Sequence, residues 1–147
     1  MPIVSVGGKT PRIPESAFIA DGACVIGDVE LGENVSIWFQ AVLRGDINSI
    51  VVGDRTNIQD GCVFHVTQQC SVRVGTGVTI GHRAIVHGCT IGNGSLIGMG
   101  SILLDNVRIG DNCLVAAGAV VRENAVVPSG SLVAGVPARI ARYSHCG

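Results

Sequence analysis

Residues 91–121 read IGNGSLIGMGSILLDNVRIGDNCLVAAGAVV. An aliphatic side chain stands at every sixth position, Ile91, Ile97, Leu103, Ile109, Val115 and Val121, and four residues after each comes a small or β-branched one such as Ser95, Ser101, Val107 or Ala119. Neither a helical period of 3.6 nor a strict alternation reproduces that list. A six-residue repeat does: short strands separated by corners, the first and fifth residues of each unit turned inward, with Gly, Asn or Asp at the bends. Three such units close one triangular coil, and successive coils stack at the strand spacing of about 4.8 Å.

Worked outward, the same repeat runs back through Val86, Ile80, Val74, Phe64, Ile58, Val52, Leu43, Ile37, Leu31, Val25 and Ile19 to Ile13, and forward to Val127 and Val133. The expectation is one all-β domain over residues 1–147, a triangular hexapeptide-repeat parallel β-helix of about six to seven coils with little or no C-terminal helix. A sandwich of regular strands would need turn signals every 8 to 12 residues or so, and the chain lacks them. The hand of the coil does not follow from the repeat, since parallel crossovers are in general right-handed. Three irregularities interrupt the count. Ser49–Val51 add three residues, Cys70–Arg73 add four, and the unit opening at Val86 is one residue short, while Gln68 breaks the inward pattern and opens a loop.

Composition agrees with a β-rich repeat, with 21 Gly and 3% aromatic residues. A formal net charge of -1 offers no electrostatic reason to expect nucleic acid or an anionic membrane as partner. The start MPIVSVGGKTPRIPES has neither a basic nor an apolar leader region, and no apolar run is long enough to span a bilayer, so a cytoplasmic protein is expected. Cys24, Cys62, Cys70, Cys89, Cys113 and Cys146 form no CxxC pair and read as reduced thiols, several of them small buried hydrophobes.

Three of the four histidines, His65, His82 and His87, lie 17 and then 5 positions apart. Neutral imidazole is a preferred zinc ligand, and three protein ligands with one open position make a catalytic arrangement. Counting units from Ile13, those opening at Leu43, Phe64 and Val86 share one face of the prism. Arg44, His65 and His87 then form an outward column with rungs about 4.8 Å apart, a spacing at which two histidines can share an ion. His82 lies five residues before His87 along an extended path, about 16 Å of backbone, so one chain cannot easily bring all three to one point. Three copies around a threefold axis could, with His82 of one facing the column of the next. Asp60 falls one coil from His82 with Gln59 beside it, and Asp46 sits two positions beyond Arg44. Arg44 and Asp46 read equally as an intersubunit ion pair or as part of an anion site, and Asn57 and Asp60 also suit bends.

The motifs RGD at 44–46, NIQDG at 57–61, HVT at 65–67, GH at 81–82, HGC at 87–89 and GMGS at 98–101 stand together and in register. On them the chain, from about Pro11 to Arg142, resembles the gamma-class carbonic anhydrase family, including its bacterial carnitine-operon and phenylacetate-pathway branches. The resemblance implies a left-handed β-helix. It implies a homotrimer in which His65, His82 and His87 bind zinc or ferrous iron, with Co2+ a further candidate and the middle histidine given by the adjacent subunit. Residues matching Arg44, Asp46, Asn57, Gln59 and Asp60 would line the site or the interface, Gln59 orienting the metal-bound solvent. The implied reaction is reversible hydration of carbon dioxide to bicarbonate by metal-bound hydroxide. Ile47, Gln68 and Gln69 stand where the best-studied branch has proton-carrying acids, so turnover is expected to be low, and Tyr143 and His145 match no family position. Two other functions share features with this pattern. A hexapeptide acyltransferase would use one histidine as general base and leaves the 17 and 5 spacing unexplained, and a metal-stapled trimeric scaffold would need no catalysis.

Overall fold

A computed structural model describes residues 3–143. The described chain is all-β, a parallel solenoid of about seven turns without a helix. One face is a ladder in which Ile19, Ile37, Ile58, Ile80, Ile97, Val115 and Val133 pair in order. A second carries Leu31, Val52, Val74, Ile91, Ile109 and Val127. The third, the histidine face, carries Val25, Leu43, Phe64, Val86, Leu103 and Val121, with Ile3 below Val25. The nineteen repeat positions from Ile19 to Val133 therefore fall on the side of the prism that the count by threes gives them, and the Arg12–Glu30 bridge sets Ile13 below Leu31 in the same order. Arg139–Tyr143 turns back antiparallel onto Ser131–Ala134 and covers the last coil. No helix among the described residues is long and apolar enough to cross a membrane.

The interior is a stack of like side chains, rung on rung, with Phe64 the largest of those fully buried. Burial removes apolar area from water at about 25 cal/mol per Å², so each aliphatic rung favours the coil beneath it. The four buried polar residues lie among the fifth positions or their equivalents, and their hydroxyls find carbonyls: Thr56 donates to Gly75, Ser95 to Gly110, Ser101 to Gly98 and Ser131 to Pro128. No buried side-chain polar atom among the described residues lacks a partner.

The irregularities lie a few residues from where the repeat count puts them. Ile50 pairs with Val29 and Val72, and Val51 with Glu30 and Arg73, so the extra residues of the first bulge are drawn from Asp46–Ser49. Val72 and Arg73 likewise belong to a strand, and the second excursion is the Thr67–Ser71 segment. Burial decides both cases: Ile50 and Val72 are fully inside, and polar Asp46, Asn48 and Gln68 are pushed out. At Gly27, where φ is +77°, a Cβ would sit 2.3 Å from the Gly45 carbonyl oxygen, so the bulge needs glycine there. Four residues after Val86 the repeat would put Thr90 inward; instead, in this short unit, Cys89 takes the inward position and Thr90 faces solvent.

The outward residues preceding each ladder position differ between faces. On the histidine face they are Cys24, Val42, Val63, Ile85, Ile102 and Val120, an unbroken apolar strip. The second face presents Arg12, Glu30, Val51, Arg73, Thr90, Arg108 and Val126 instead.

Five cysteines stand free, and Cys146 lies outside the described residues. Burial pushes the Cys62 thiol up to about 11 and the Cys89 thiol up to about 12. At pH 8 the thiolate, which is the reactive form, is then on the order of one part in a thousand or less at either position. Iodoacetamide should label partly exposed Cys70 in the native protein and reach Cys62 and Cys89 only in denaturant. Mass mapping of the peptides checks this, and rapid native labelling of Cys62 or Cys89 would contradict the packing.

Candidate metal centre

His65 ends the strand Val63–His65 and His87 ends Ile85–His87, and the two strands pair so that one histidine lies directly over the other. Their ring centroids are 5.1 Å apart, and His65 Nδ1 faces His87 Nε2 at 3.1 Å. The outer nitrogen of each ring meets a carboxylate: His65 Nε2 lies 2.9 Å from Asp46 Oδ1, and His87 Nδ1 lies 2.5 Å from Asp105 Oδ1. A carboxylate accepts hydrogen bonds, so each outer nitrogen is the N–H of its imidazole and each inner one carries a lone pair. With both imidazoles neutral, two lone pairs then face each other across 3.1 Å. A cation between them removes that repulsion, and two nitrogens bound at about 2.0–2.1 Å to one tetrahedral ion stand about 3.3 Å apart. The donor set thus fits a divalent metal.

The Asp46–Ser49 bulge is what carries Asp46 to His65. Arg44 does not touch the histidines; it turns outward and donates from Nη1 to Asp46 Oδ2 at 2.5 Å. Partial desolvation pushes the Asp46 carboxyl upward, but hydrogen bonds from His65, a local backbone amide and Arg44 outweigh it and hold its pKa below the usual carboxylate value. Asn48 ties the bulge to the next coil by donating to the carbonyls of Thr67 and Gln68. Ile47 and Gln68 are exposed, with no carboxylate beside them on the Thr67–Ser71 segment.

His82 occupies the opposite edge of the histidine face, at the corner entered from the Ile80 ladder. Its Nδ1 lies 3.3 Å from Asp60 Oδ1, one coil away as the repeat count places them. Gln59 donates from Nε2 to Asn57 Oδ1 at 3.1 Å, and Asn57 donates onward to Thr79. Asn57 lies on a strand, so its reading as a bend residue is corrected; Asp60 does stand at a corner. Ser36 and Trp38 complete an open cleft with Asn57, Gln59, Asp60 and His82. Trp38 packs against Phe18 and Phe39, and all three rings are partly exposed.

One chain therefore carries two separate histidine clusters, on opposite edges of one face. Among the described residues no three His, Cys, Asp or Glu side chains are placed to hold an ion within one chain. The repeat reading brought together His65 with His87 and His82 with Asp60, and it missed Asp105 and Trp38. Asp105 was within reach: the histidine column extended by one more coil opens at Leu103, two residues before it.

Residues 88–123 match the family model described as "Bacterial transferase hexapeptide (six repeats)". The chain is 50% identical over 135 residues to the carbonic anhydrase of Geobacillus kaustophilus, covering 92% of this chain and 74% of that one. The chain belongs to the gamma-class carbonic anhydrase family. It is also 42% identical over 146 residues to mitochondrial gamma carbonic anhydrase 2 of Arabidopsis thaliana, covering 95% of this chain and 52% of that protein. It thus spans about half the length of that relative. The crystal structure of a hexapeptide transferase family protein from Anaplasma phagocytophilum superposes with a TM-score of 0.94 at 43% identity, over 98% of this chain and 85% of that one. In this chain Gly88 follows His87 with φ at +58°, and a Cβ there would meet the Cys70 Cβ at 2.9 Å. Gly88→Ala should cost about 1–3 kcal/mol, since a left-handed alanine is strained even before the clash. A urea midpoint equal to wild type would contradict this account of the turn.

Proposed function

We propose that the protein hydrates carbon dioxide reversibly at a divalent metal shared between neighbouring copies of a trimer. The observation that carries this reading is the pair of ring nitrogens, His65 Nδ1 and His87 Nε2, facing each other at 3.1 Å, each ring anchored from outside by a carboxylate. His65 and His87 would hold the ion, with His82 of the adjacent copy as third ligand. Support for the split comes from the distance between the half-sites and from the apolar strip of Val63, Ile85 and Ile102 between them, since apolar sheet faces are buried in association. A bound divalent ion supplies Lewis acidity, enough to lower the pKa of water from 15.7 to about 7.

The chain's own residues do the rest. Gln59, whose Nε2 is engaged by Asn57, keeps Oε1 free to accept a proton-bearing group and so orient the reacting water. Asp60 lies 3.3 Å from His82 Nδ1, and a hydrogen bond there would leave Nε2 for the neighbouring column. Arg44 keeps guanidinium donors beyond the one given to Asp46 and would favour bicarbonate over neutral carbon dioxide. The proton leaving the water finds no carboxylate on the Thr67–Ser71 segment, so buffer would carry it and turnover would be low. Zinc is the leading ion, with Fe2+ and Co2+ accommodated by the same imidazoles. A cytoplasmic setting suits the free thiols.

An acyltransferase of the hexapeptide type has no use for paired imidazoles with anchored outer nitrogens, and a scaffold has no use for Gln59. Stopped-flow hydration on metal-replete protein should be lost on chelation and return with zinc or ferrous iron. Gln59→Ala should keep its metal and lose on the order of 10²-fold in kcat. Metal-replete protein with no hydration above buffer would reject the enzyme and leave the scaffold.

A further inference from the structure

Three Asp and Asn side chains at the corners of this solenoid serve the backbone. Asp54, Asn93 and Asp111 each accept the amide N–H of a neighbouring coil, from Glu33, Thr76 and Asn93 respectively. Asp105 also stands at a bend, yet among the described residues its carboxylate meets no backbone amide and is directed at His87 Nδ1. The bend itself is made by Asn106, which adopts φ +61° and donates to Asn124. Space for the carboxylate is left by Gly88, where a Cβ would lie 3.2 Å from Asp105 Oδ1. Two features of the chain, a carboxylate without a backbone task and a missing side chain under it, thus converge on one ring nitrogen.

We propose that Asp105 is the positioning residue of His87. It fixes the Nδ1–H tautomer and the ring plane, so that the Nε2 lone pair is presented toward His65 with raised basicity. Ligating histidines characteristically donate their second N–H to a carboxylate or carbonyl, and loss of that partner typically lowers metal affinity about 10- to 100-fold. Asp105 touches neither the reacting atoms nor the ion in this assignment. The inference rests on the metal site proposed above, and it gives His87 the support that Asp46 gives His65.

The test compares wild type with Asp105→Ala and Asp105→Asn. Zinc affinity is measured by chelator competition, and the His87 tautomer by 15N NMR in the metal-free protein. The Asp105 side chain is 41% exposed, so the metal-free urea midpoints should stay close to wild type. Both variants should bind zinc about 10- to 100-fold more weakly, and the wild-type Nδ1–H tautomer of His87 should shift toward Nε2–H, most in Asp105→Asn. Equal zinc affinity with an unchanged tautomer would overturn the role of Asp105 and leave the metal site standing. Wild type that binds no zinc, iron or cobalt would overturn the site and this inference together.

Discussion

Parallel strands hydrogen-bond at about 4.8 Å, and almost everything in this molecule depends on keeping that rung constant through about seven turns. The spacing stacks one aliphatic layer on the next inside. Outside, it sets His87 over His65 at a separation their rings can bridge. The coil keeps its rung by expelling what does not fit: surplus residues leave as the Asp46–Ser49 bulge and the Thr67–Ser71 excursion, and a deficit is taken up at Gly88. All three departures surround the histidines. The bulge delivers Asp46, and the deficit opens room for Asp105.

The fold was legible because a six-residue period with inward positions one and five admits few architectures. The face on which each unit lies followed from counting alone. His65 with His87, and His82 with Asp60, were legible for the same reason, being one coil apart in register. The boundaries of the insertions were not, because a periodic count cannot say which residues of an over-long unit remain in the ladder. Burial of Ile50, Val72 and Cys89 settles that, and it is a tertiary property. Asp105 and Trp38 escaped because neither interrupts the pattern: one looks like a corner residue and the other like an outward strand residue.

The histidine face joins fold to chemistry. Its outward strip is apolar from Cys24 to Val120, while the two edges of the same face carry two anchored imidazoles on one and a third, with Gln59 and Asp60, on the other; in the proposed assembly these would be complementary halves of a site. A heterologous contact between opposite edges closes into a ring, and a threefold ring would contain three identical junctions. Assembly and metal binding would then be linked, since each junction completes one ligand set.

That linkage is most directly examined with two variants, His82→Ala and His87→Ala, each of which would remove one ligand from every junction of the proposed trimer. Unfolded together and refolded as mixed trimers, they should recover bound metal. Each mixed ring contains one junction where an intact His87 meets an intact His82, and so regains about a third of the wild-type metal content. Verified mixed trimers that stay metal-free, while wild type carried through the same cycle regains its metal, would contradict a centre shared between subunits.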